Sequence, residues 1–191
     1  MAFTIPLPSP RSPSGGEGVA RWYEHELGWA TAQEGAGGPV ELLTGLRFDA
    51  LELPAAAGYA VLRRLGGRWP VALAGRRMRL LVAAGAADEL PGLLDWLDWG
   101  GIALDLVALG AGDRMTAPVP PGWSGSGSPD AVSWLRPPEP GREVEPTLPA
   151  MAAVAGGVGA PCLVRLVDAA ASECHRVRLL GAYRGQRLAS S

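Results

Sequence analysis

The chain has 191 residues, 48% of them hydrophobic and 19% charged, which is enough apolar content to bury one domain-sized core and too much for a disordered chain. Its 17 basic residues, every one an arginine, stand against 19 acidic ones, and the net charge of −2 leaves no global basic excess to hold a polyanion. Apolar runs such as Leu106–Leu109 are bounded by Asp105 and similar charges, well short of the roughly 20 residues a membrane-spanning helix needs, so no membrane partner is expected.

Pro6, Pro8, Pro10 and Pro13, followed by Gly15–Gly16, predict a tail over residues 1–16, because proline removes amide donors and glycine costs backbone entropy. The same stretch lacks a basic start followed by an apolar run, so it does not read as a secretory signal; the expected compartment is the cytoplasm. From 18 to 29, Val19, Trp22, Tyr23, Leu27 and Ala30 recur at helical spacing, giving a first helix ended by Gly28. Beyond a glycine-rich stretch at 34–38, residues 39–43 and 47–53 read as strands joined by a Thr44–Gly45 turn. A helix from Pro54 to Leu65 stops at Gly66–Gly67. Residues 70–73 and 78–82 have the spacing of a β-hairpin turning at Ala74-Gly75-Arg76-Arg77. Asp88 is the expected N-cap of a helix over 89–99 with Leu90, Leu93, Leu94 and Leu97 on its apolar face, closed by Gly100–Gly101.

Further strands are expected at 102–109, 115–118 and 131–135, then a Pro/Gly/Ala linker over 138–160. A helix over 161–182 presents Leu163, Leu166, Val167, Ala170, Cys174, Val177 and Leu180 to the sheet, and residues 183–191 are a tail. The sum is an α+β domain over residues 17–137, with a mixed or antiparallel sheet of about five to seven strands flanked by helices, plus the C-terminal helix.

Several strings in this order resemble the amino-terminal prim-pol domain of bifunctional DNA primase/polymerases, of the archaeo-eukaryotic primase superfamily. They are Ala20-Arg21-Trp22-Tyr23 through Leu27-Gly28-Trp29, Leu42-Leu43-Thr44-Gly45, Leu51-Glu52-Leu53-Pro54 with Gly58, Gly75 to Leu80, and Gly110 to Asp113 with Ala117-Pro118 through Pro120-Pro121. The resemblance covers about residues 18–137 and implies an RRM-like core and a two-metal site on the strand that carries Glu52. Primer synthesis needs paired carboxylates to hold divalent ions. On this alignment the first metal-binding aspartate is Glu52, the second is Pro54, and the phosphate-binding histidine is Met78. Proline offers no ligand and methionine cannot bind phosphate, so the resemblance implies a degenerate site with no catalytic residues and no metal or cofactor. The chain then reads as a noncatalytic binding or interaction protein of a bacterium with a GC-rich genome. One alternative is an active nucleotide- or DNA-handling enzyme that uses Asp49 and Glu52, with Asp105 or Asp113, and Mg²⁺ or Mn²⁺; another is a self-associating structural protein that buries the final helix and the tryptophans against a copy of itself.

Three other groups of residues bear on partners. Arg76, Arg77 and Arg79, with Arg63, Arg64 and Arg68, make the densest basic segment, and arginine forks suit phosphate oxygens, so they are the candidates for nucleotide or nucleic-acid binding; the bland reading is a solvated face paired with carboxylates. Of seven tryptophans, Trp22 and Trp96 fall on or next to apolar helix faces, leaving Trp99, Trp123 and Trp134 as candidate anchors for a protein partner or a second copy of the chain. Cys162 and Cys174 are expected as reduced thiols. His175 beside Cys174 is a poor dyad, because adjacent helix residues diverge by about 100°.

Overall fold

The computed structural model describes residues 15–33, 35, 37–123, 131–151 and 162–189. In chain order the elements are α1 (Gly16–Glu26), β1 (Thr31–Gln33), β2 (Val40–Leu43), β3 (Asp49–Pro54), α2 (Ala55–Leu65), β4 (Val71–Ala74), β5 (Arg77–Val82), α3 (Ala86–Trp96), β6 (Val107–Leu109), β7 (Arg114–Thr116), β8 (Val132–Arg136), a 3₁₀ turn (Glu145–Thr147) and α4 (Leu163–Ala189). The expected α+β class holds, with two antiparallel sheets: β6-β3-β5-β4-β8 and β1-β2-β7. No helix among the described residues is long and apolar enough to cross a membrane.

The period-two alternation of the central strands sets the layers. Leu51, Leu53, Val71, Met78, Leu80 and Val82 point to one face of the five-stranded sheet, where α2, α3 and the first half of α4 bury them. Ala50, Ala72 and Leu81 point to the other face, against Tyr23 of α1 and Leu27 at its C-terminal cap, Leu42 and Met115 of the small sheet, and Trp29 and Phe48. The β4–β5 hairpin forms as expected: Ala74 pairs with Arg77, and Gly75 takes a φ of 56° that a side chain would resist. Helix α2 lies so close to β5 that a Cβ at position 58 would collide with Met78 Sδ, which accounts for Gly58.

The structure departs from the expected elements at identifiable points. Thr44–Gly45 does not close a hairpin: β2 and β3 belong to different sheets, and Thr44 instead hands its hydroxyl to the Gly110 carbonyl. Strand β1, unanticipated, pairs Thr31–Gln33 with β2. Helix α3 starts at Ala86 and not at Glu89, because Asp49 on β3, and not Asp88, caps it. It ends at Trp96 in a Schellman turn, with Asp98 N–H on the Asp95 carbonyl and Trp99 N–H on that of Leu94; the left-handed residue is Asp98 (φ 61°), ahead of Gly100–Gly101. The strand expected over 102–109 shrinks to its last three residues. Within the expected linker, Val144 and Leu148 are buried in the second core, so residues 138–151 pack against the domain; 152–160 lie outside the described residues, as does the tail over 1–14. Helix α4 continues through the expected tail to Ala189, and Leu180 is exposed, so the docked stripe ends near Val177.

Candidate functional site

Strand β3 carries the two carboxylates that sequence reasoning singled out, and three residues of strand place them on opposite faces. Asp49 lies on the helix side, 1% exposed. Its Oδ2 accepts the Ala87 N–H at 2.8 Å, so a residue from a neighbouring strand serves as the N-terminal cap of α3. Burial pushes the Asp49 carboxyl above the usual carboxylate range, against the pull of the Ala87, Gly85 and Gly45 amides.

Glu52 lies on the other face, held between two guanidinium groups of β5. Arg77 Nε donates to Oε1 at 3.1 Å and Arg79 Nε to Oε2 at 2.7 Å, while Arg77 Nη1 also reaches Asp105 Oδ1 at 2.6 Å. Burial alone would raise the Glu52 pKa, but the hydrogen bonds and charges of Arg79 and Arg77 hold it below the usual range. Two arginines and two carboxylates form a neutral network. Glu52 is thus held through both oxygens and Asp49 through Oδ2, its buried Oδ1 having no hydrogen-bond partner, and the sheet stands between the two carboxylates. Met78 is fully buried on the helix side against Gly58, across the sheet from Glu52. Asp113 accepts the Gly110 N–H at 3.0 Å in a surface turn and does not approach Glu52's partners in any hydrogen bond or ion pair. Among the described residues, no group of three or more His, Cys, Asp or Glu is placed to hold a metal ion.

The basic segment does not form one patch. Arg77 and Arg79 are committed to Glu52 and Asp105 on the face away from the helices. Arg63 and Arg64 are exposed on the last turn of α2, on the opposite side, with Arg64 3.8 Å from Asp168. Arg76 is exposed at the hairpin turn between them, and Arg68 is exposed near the end of α2.

The tryptophans also redistribute. Trp134 is half-buried: its Nε1 donates to the Tyr23 hydroxyl, which donates to the Pro118 carbonyl, both at 2.8 Å. It knits β8 to α1 and is not a free anchor. Trp123 is half-buried in a turn closed by its own N–H on the Pro120 carbonyl. Trp99 is half-buried, its ring 5.8 Å from that of His175. The tryptophan that stands in solvent is Trp96, expected on an apolar face but left outside it where α3 ends. Sequence reasoning missed it because Leu93, Leu94 and Leu97 alone complete the docked stripe. Cys174 is buried, and desolvation together with Asp105 pushes its thiol up to about 12, so it is an inert core residue.

An open groove of about 470 Å³ lies where Leu46 and Arg47 meet Ala83–Ala84 and Glu143, Glu145 and Pro146, and the Arg47–Glu145 ion pair lines it. Comparison with protein-family models, with curated proteins and with solved structures gave no match to this chain.

Proposed function

We propose that this chain is a noncatalytic interaction module of the bacterial cytoplasm, built on a frame resembling the prim-pol domain and emptied of that domain's chemistry. The observation that carries this reading is the disposition of the two β3 carboxylates. A two-metal mechanism needs carboxylate oxygens converging on ions, with metal–oxygen distances near about 2.1 Å for Mg²⁺. Asp49 caps a helix on one side of the sheet and Glu52 neutralises two arginines on the other. Recruiting either to a metal would uncap α3 or strand buried arginine charge. The surface left for recognition is the exposed end of α3 and the far half of α4, where large apolar side chains stand in solvent.

The test is thermal unfolding with Mn²⁺ and each nucleoside triphosphate at millimolar concentration, with Mn²⁺ alone and EDTA as controls. A ligand that binds only the folded state raises the midpoint. No nucleotide-dependent shift is expected. A metal-dependent rise would overturn the reading in favour of a nucleotide-handling enzyme, and loss of that rise in Glu52→Ala would identify its site.

A further inference from the structure

At about 100° per residue, helix α3 divides into two faces. Ala86, Leu90 and Leu93, with Leu97 at the C-terminal cap, fall in one arc and pack into the first core. The opposite arc carries Asp88, Glu89, Pro91, Gly92, Asp95 and Trp96, every one exposed. Trp96 stands 72% in solvent. Gly92, one turn before it on the same side, has open space where a side chain would stand, although an exposed helix interior favours alanine. The glycine thus leaves a notch beside the indole. Pro91, at the edge of this face, has no N–H to return to the Ala87 carbonyl, so the helix withholds the usual donor from that acceptor.

The charge of the face has one sign. No cationic side chain occurs in the sequence between Arg79 and Arg114. The carboxylates of Asp88, Glu89 and Asp95 have no hydrogen-bond or ion-pair partner among the described residues.

We infer that this face of α3 docks an arginine-bearing segment of a partner protein, with one guanidinium laid on Trp96 over the Gly92 notch and its N–H groups turned to the flanking carboxylates. The inference rests on the interaction-module reading and names the partner's chemistry. Charge complementarity selects this occupant. The face offers an aromatic ring and acceptors but no charged donor, and guanidinium combines a planar stacking surface with five donors and no acceptor. Nucleic acids and anionic bilayers are repelled by the same acids. Among the described residues, no group of three or more acids is placed to hold a metal ion instead.

The test is calorimetric titration of the full chain with a synthetic peptide of alternating arginine and glycine, and with its lysine counterpart of equal charge. Saturable one-to-one binding of the arginine peptide is expected, about ten-fold tighter than that of the lysine peptide and weakened by salt. Trp96→Ala should weaken it about ten-fold, as for a partly desolvated cation–π contact. Glu89→Gln/Asp95→Asn should weaken it more than Glu17→Gln/Glu26→Gln, which removes the same charge from exposed positions on α1. Gly92→Gln should move two readings in opposite directions: the unfolding midpoint rises, because glutamine is the better helix former, and binding falls, because the notch is filled. Equal binding of the two peptides, indifference to Trp96→Ala, or equal losses from the α3 and α1 charge variants would reduce the effect to attraction by net charge and overturn the inference. So would no binding at millimolar peptide, or sedimentation of the unmodified chain as a dimer that Trp96→Ala dissociates, which would make a second copy the occupant. Failure of the peptide without a Mn²⁺–nucleotide shift removes the arginine-bearing partner and leaves the module reading in place; a nucleotide shift removes the module reading itself.

Discussion

Asp49 and Glu52 are three residues apart on one strand and live in opposite electrostatic settings. On the helix side of β3, Asp49 meets backbone amides and apolar side chains with the like charge of Asp88 nearby, and its carboxyl is raised, chiefly by burial. On the other side, Glu52 meets two guanidinium groups and is lowered. The difference shows how a sheet isolates chemistry: residues close in sequence share a strand but not a dielectric environment or a counter-ion. A pair of acids read along a strand is a metal-site candidate only when an even spacing or a bulge turns both to one face.

Removing each acid should reveal the different work it does. Glu52→Ala leaves Arg79, whose side chain is 15% exposed, without its counter-ion, and should cost roughly 3 kcal/mol in denaturant unfolding, with Glu52→Gln milder because an acceptor remains. Asp49→Ala removes a cap and should cost about 1–2 kcal/mol. The double variant should equal the sum within about 0.5 kcal/mol, as for sites without shared partners. Coupling well beyond that would mean that the two faces communicate through β3, and the comparison would fail.

Much of the frame was legible because it rests on local signals: the Gly75 turn of the β4–β5 hairpin, the Pro54 and Gly66 limits of α2, and the apolar period of α4 through Val177. What escaped depended on partners distant in sequence. Nothing near Ala86 announces that Asp49, 37 residues earlier, caps α3, whereas Asp88 offers a plausible local cap. Asp98 does not stand out as a helix terminator because glycines follow it, although aspartate also tolerates the left-handed region. For the candidate site, a spacing of three residues on one strand is itself enough to separate Asp49 from Glu52. The arginine cluster could not be resolved, because whether Arg63–Arg64 and Arg77–Arg79 share a face depends on which side of the sheet α2 crosses.

The smallest expected effect is also the most specific to the comparison, since it asks whether the two acids give stability opposite dependences on pH. The raised carboxyl of Asp49 binds its proton more tightly folded than unfolded. Its contribution is fully present below the unfolded value, near about 4, and is lost as the pH rises through the folded one. Glu52 behaves in reverse: its lowered value contributes stability above the unfolded range, lost as the pH falls through the folded value. Asparagine at position 49 keeps an acceptor for the Ala87 amide and has no charge to desolvate. Asp49→Asn should therefore gain on the unmodified protein as the pH is raised from acid toward neutrality. The deficit of Glu52→Gln should instead shrink as the pH is lowered, because the unmodified protein loses there what the variant never had. Denaturant unfolding across that range gives both difference curves, and slopes of the same sign would mean that the two carboxylates share one environment after all.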